Sequence, residues 1–142
     1  LEVYIHGYET EFQYKLNKLI DLEGSFSATR GENLTDNSPL YYVPPDKILL
    51  STEIYLSPFS INLMHKKVFS QNRVGLYEET TPGYETYNLI GTYTIRSTQA
   101  IHKFILQIDN IFDRKYYNHL SRIKSIMPEK GRNIGFQYRL NF

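Results

Sequence analysis

The 142-residue chain carries a net charge of +1 and contains no cysteine. Without thiols it has no disulfide framework, no thiolate metal ligand and no cysteine nucleophile. A near-neutral balance with no basic cluster excludes the electrostatic footprint of a nucleic-acid binder. Hydrophobic residues make up 41% of the chain, and 13 Tyr and 8 Phe stand against no Trp. That mixture suits a sheet between water and lipid, where a tyrosine ring keeps one apolar side and one wet end.

Period-two alternation, the mark of a strand with two unlike faces, runs through most of the chain. Residues 2–16 set Tyr8, Thr10, Phe12 and Tyr14 against Glu9, Glu11, Gln13 and Lys15. After a short link near Asn17, a second strand over 19–30 sets Ile20, Leu22, Gly24, Phe26 and Ala28 against Asp21, Glu23, Ser25, Ser27 and Thr29. A loop over 31–46 follows, broken by Gly31, Pro39, Pro44 and Pro45. The third strand, 47–56, places Ile48, Leu50, Thr52, Ile54 and Leu56 opposite Ser51, Glu53 and Tyr55, and Ser57-Pro58 makes a tight link. In the fourth, 59–71, the run Met64-His65-Lys66-Lys67-Val68 fits neither face.

A second long loop spans 72–85, and strand five, 86–96, alternates Tyr87, Leu89, Gly91, Tyr93 and Ile95 with Asn88, Thr92, Thr94 and Arg96. A Ser97-Thr98-Gln99 turn leads to strand six, 101–112, and a third long segment covers 113–131. The last strand alternates without a miss: Ile134, Phe136, Tyr138, Leu140 and Phe142 oppose Asn133, Gly135, Gln137, Arg139 and Asn141.

The links therefore alternate short and long. Short turns on one side and long loops on the other mark an outer-membrane barrel, and about ten residues suffice for a tilted strand to cross a bilayer. The expected fold is all-β, an antiparallel up-and-down transmembrane β-barrel meander of about seven strands with no helix beyond a turn or two. Leu1 to His6 do not look like a signal peptide, so the reading expects further chain upstream.

Five segments carry a family resemblance. Asp109-Asn-Ile-Phe-Asp-Arg-Lys-Tyr-Tyr117 resembles the penultimate-strand motif of TonB-dependent receptors, and residues 131–142 resemble their closing strand with its terminal Phe. Residues 80–89, 5–11 and 39–47 are similar to earlier barrel segments of the same family, in the same order. The resemblance implies that residues 1–142 are the C-terminal part of a 22-stranded barrel domain, about its last seven strands, with the plug domain and earlier strands absent. It implies a bacterial outer-membrane location and TonB-energised uptake of a scarce nutrient, chiefly an iron–siderophore or other metal complex. The partners it implies are outer-membrane lipid and lipopolysaccharide, the rest of the same receptor, the TonB complex through the missing N-terminal region, and the barrel assembly machinery. Phe136, Tyr138, Leu140 and Phe142 would form the C-terminal assembly signal. Two other readings stay open: a small eight-stranded outer-membrane barrel with a structural or adhesive role, and a soluble lipocalin-like binding barrel.

The chain offers no enzyme chemistry. His6, His65, His102 and His119 lie on separate segments without zinc-site spacing, and there is no Gly-x-Ser-x-Gly elbow or phosphate-cradling glycine loop. The reading is of a non-enzyme without catalytic residues, metal site or cofactor. Glu78 and Glu79 are expected to be solvated, or bridged to lipopolysaccharide by divalent ions. Asn110 is expected to anchor a bulge or turn. Ligand contact is expected in the long loops, from Tyr41, Tyr42, Arg73, Tyr77, Tyr84, Tyr116, Tyr117, His119 and Arg122, because rings with arginine suit flat anionic metal chelates.

Overall fold

The computed structural model describes residues 2–142. Its strands are β1 (Val3–Lys15), β2 (Ile20–Asn33), β3 (Ser38–Pro39), β4 (Lys47–Leu56), β5 (Phe59–Val68), β6 (Tyr84–Arg96), β7 (Ile101–Asp109) and β8 (Asn133–Asn141). They form one sheet in the order β1-β2-β4-β5-β6-β7-β8, with the two-residue β3 attached to β2, and every pairing is antiparallel. No helix occurs among the described residues. The expected meander is present, with β1 and β8 as its two edges.

Register turns the alternation of each strand into two continuous faces. Rows such as Tyr14–Leu22–Thr52–Leu63–Leu89–Ile108–Ile134 cross seven strands on one side. The next residues along, such as Gln13, Glu23, Ser51, Met64, Asn88, Gln107 and Gly135, lie on the other. A slip of one residue would put every apolar group on the wrong side. At Gly24 an added Cβ would run into the Phe12 ring, so the glycine lets that ring lie flat across β2.

The molecule is a single layer with almost no interior. Val68 and Tyr84 are its only buried large hydrophobics among the described residues, whereas Ile134, Phe136 and Tyr8 are 65%, 70% and 63% exposed. A continuous apolar face of this size, uncovered by any second layer, calls for an apolar medium against it.

Several strand ends and the alternation of one strand differ from the sequence-based expectation. β2 runs on to Asn33 because β1 keeps pairing with it as far as Val3↔Asn33. β5 alternates throughout, with Phe59, Ile61, Leu63, His65 and Lys67 on one face and Ser60, Asn62, Met64, Lys66 and Val68 on the other. His65 and Lys67 stay on the apolar face because Glu85 of β6 lies 3.4 and 3.0 Å from them at the long-loop end. β5 stops at Val68 rather than residue 71, and its loop is pinned by a single bridge, Gln71↔Thr81. β7 stops at Asp109 rather than residue 112, because Asn110 turns the chain with φ 50°. The Asn110 side chain then accepts from Arg114 N and donates to Arg114 O (2.9 Å each), the turn-anchoring role expected of it.

Candidate functional site

All three long links, 34–46, 69–83 and 110–132, emerge at the same end of the sheet, and the short ones, 16–19, 57–58 and 97–100, at the other. The long loops are tied together by one carboxylate. Glu78 accepts hydrogen bonds from Tyr42 N (3.2 Å), Gly75 N (3.2 Å) and Lys124 Nζ (3.3 Å). His119 packs against it, with Nε2 3.1 Å from Glu78 Oε1 and Nδ1 2.9 Å from Thr81 Oγ1 and 3.2 Å from Lys124 Nζ. The side chains of His119, Glu78 and Lys124 are only 1%, 5% and 9% exposed.

An ammonium group only donates, so His119 Nδ1 is an acceptor and the ring proton sits on Nε2, toward Glu78. That contact is close without being an aligned hydrogen bond. Burial, helped by the Lys124 charge, lowers the His119 pKa from its ordinary value against the pull of Glu78, so the ring is neutral. Burial works the other way on Glu78, but the Gly75 and Tyr42 amides and Lys124 outweigh it, and its carboxyl stays below the usual range. The lock therefore consists of a carboxylate, a neutral imidazole and an ammonium.

Above the lock a cavity of about 430 Å³ is lined by Tyr41, Tyr42, Tyr77, Glu79, Arg122 and Lys124, among others. Tyr42 and Tyr77 have φ of 55° and 68°, left-handed values that bulky residues rarely adopt and that cluster at binding sites. The Tyr42 N–H bonds to Glu78 hold one of these two turns in place. Tyr77 is 95% exposed, its ring fully available.

Beneath the lock the loops fold over the polar face. A cavity of about 270 Å³ lies between Ser27, Lys47, Lys66 and Tyr84 of the sheet and Pro45 and His119 of the loops. Tyr84 stacks on Tyr116 with centroids 4.2 Å apart, and Lys66 Nζ lies 5.6 Å from the Tyr84 ring.

Of the nine residues expected to contact ligand, Tyr41, Tyr42, Tyr77 and Arg122 share the upper cavity. Tyr84 and Tyr116 form the stacked pair below it. Arg73 is ion-paired with Glu32, and Tyr117 lies under Lys115, 5.9 Å from Nζ to ring. His119 is 2% exposed and belongs to the lock. Glu78, expected to be solvated or bridged by ions, is instead the buried centre of that lock. Sequence reasoning also missed Lys66; counting alternate residues from Phe59 would have put it on the polar face.

No family model matches the chain. The fold superposes on the solved structure of "Copper transporter OprC" with a TM-score of 0.85 over 96% of this chain, at 22% sequence identity. The likeness is one of fold. The matched stretch is 23% of that protein's length, so this chain spans under a quarter of it. An all-β antiparallel meander, wide on one side with loops and tight on the other with turns, is thus a fold that a known transporter contains.

Proposed function

We propose that the chain is the C-terminal barrel wall of a bacterial outer-membrane uptake receptor energised through TonB. Its apolar face would meet lipid, its polar face the lumen, and its long loops the exterior. The observation that carries this reading is the broad apolar face, which bears His65, Lys67 and Glu85 at its long-loop end and is left bare of any protein layer, while all long loops gather at that same end of the sheet. Strands of 9 to 14 residues on the main path fit a tilted membrane crossing. The fold likeness to a transporter supports it further.

The cargo we infer is a metal complex such as an iron–siderophore rather than a bare soft metal ion. The chain has no Cys and two Met, which leaves few soft ligands. The upper cavity offers tyrosine rings and the Arg122 guanidinium, which suit a flat anionic chelate, beside the Glu79 carboxylate. The test uses the intact receptor and a panel of iron chelates and copper salts. Tyr77→Ala with Arg122→Ala should weaken binding of the preferred chelate about tenfold or more, as for loss of two contacts of about 1 kcal/mol each, with the heat-modifiable barrel unchanged. Unaltered affinity for every ligand in the panel would remove this segment from recognition.

A further inference from the structure

Four lysine and arginine side chains stand in the strands on the long-loop half of the sheet: Arg30, Lys47, Lys66 and Lys67. Arg30 and Lys67 lie on the apolar face, and each holds a carboxylate of its own, Asp46 at 2.5 Å and Glu85 at 3.0 Å. Lys47 and Lys66 lie on the polar face and enter no ion pair among the described residues. They are diagonal neighbours, since Lys47 faces Val68 and Leu49 faces Lys66. Like charges at that spacing repel. Both are half-buried under the loops, where lost hydration makes an unanswered charge costly. The acids around them do not answer it. Glu9 stands one strand beyond Ser27, the residue opposite Lys47, and Glu129 lines the neighbouring cavity beside Lys130; neither enters an ion pair.

Both lysines border the cavity of about 270 Å³ beneath the lock, with the Ser27 and Thr29 hydroxyls, and no residue lining it is acidic. The Tyr84 ring, 5.6 Å from Lys66 Nζ, steadies that ammonium without supplying an anion. The lock is the partition between the two cavities: Glu78 and Lys124 line the upper one and His119 the lower. We propose that Lys47 and Lys66, with Ser27 and Thr29, form an oxyanion site, a second station that takes a carboxylate or phosphate group once the lock has let it pass. This deepens the uptake reading and rests on it. Two ammonium groups and two hydroxyls offer many donors and no negative charge, which suits an oxyanion of either geometry. The cavity is smaller than the roughly 300–1,000 Å³ that whole small-molecule ligands fill. It therefore admits a free oxyanion or one anionic arm of a chelate.

Equilibrium binding of inorganic phosphate and of iron(III)–citrate to the purified full-length receptor tests this. Lys47→Gln/Lys66→Gln should weaken binding about tenfold or more, the weight of one charge-assisted contact. Lys47→Arg/Lys66→Arg should restore it, and Lys103→Gln, at the short-turn end, should leave it unchanged. Phosphate binding that depends on the two lysines marks a site for free oxyanions; the same dependence for iron(III)–citrate alone marks a site for a chelate's arm. Amine acetylation of the parent receptor, mapped by mass spectrometry, checks the position without any substitution. Lys47 and Lys66 should react about tenfold more slowly with a probe present at about ten times its Kd, and Lys103 at its usual rate. Binding of neither probe, acetylation of Lys66 indifferent to both, or an equal loss of a neutral iron(III) tris(hydroxamate) in the Gln variant would overturn the proposal. Bimane on Phe136→Cys and on Gln137→Cys separates this from failure of the underlying reading. Brominated lipid should quench the first and not the second; the reverse would overturn the lumenal assignment itself, whatever the probes do.

Discussion

Two groups nearly excluded from water, Glu78 and His119, hold the loop cap in one protonation state each. Both have lower pKa values in the folded loops than in an open chain, so an open cap takes up more protons and acid favours opening. The stabilisation is complete above the ordinary histidine value of 6.5 and is lost first as pH falls through the folded His119 pKa. A second loss follows below the ordinary Glu value of 4.5, as pH falls through the folded Glu78 pKa. Amide exchange at residues 75–81 of the intact receptor should therefore quicken as pH is lowered, after correction for intrinsic rates. Glu78→Gln should remove the lower step and cost the cap roughly 3 kcal/mol, since it leaves the Lys124 ammonium buried without its counter-charge. A protection profile flat between about pH 7 and pH 4 would sink this account.

The strands test the face assignment most sharply in the middle of the sheet, where Leu106 lies between Gly91 and Phe136 on the apolar side. If that side faces lipid as proposed, Leu106→Arg should cost about 2–4 kcal/mol of folding stability in lipid, the cost of a charge near a bilayer midplane. Gln107→Arg, one residue on and on the other face, should stay within about 0.5 kcal/mol. Denaturant titration in lipid vesicles measures both, and equal costs would refute the two-faced reading. Apart from the two-residue β3 and the facing of Met64–Val68, strand identity, order and facing were legible in the sequence because an apolar side writes a period of two along each strand. Strand ends were less so: Val68 and Asp109 end their strands through the Gln71–Thr81 bridge and the left-handed Asn110, which are tertiary and conformational matters. The site was half legible for a related reason. Tyr41, Tyr77 and Arg122 stand out as candidates by side-chain chemistry alone and do share one cavity, but Glu78, His119 and Lys124 become a lock only when loops more than 30 residues apart in sequence meet.

At the scale of the whole molecule, the sheet leaves one edge of β1 and one edge of β8 unpaired, which neither lipid nor water tolerates well over such lengths. On the proposed reading the barrel closes in the membrane, and the family resemblance implies that the assembly machinery reads Phe136, Tyr138, Leu140 and Phe142 to begin it. Phe142 separates that role from stability, because it is 99% exposed and its loss removes no packing within this chain. Phe142→Asp should leave refolding of the purified receptor into lipid vesicles within about 0.5 kcal/mol of the parent. In cells the same substitution should sharply lower the amount of receptor at the surface, whereas Asn141→Asp, a like change on the polar face, should not. Surface labelling against total protein decides it: equal levels for both variants would mean that the aromatic carries no assembly signal. A matching fall in refolding would mean instead that Phe142 packs against the strand that completes the barrel.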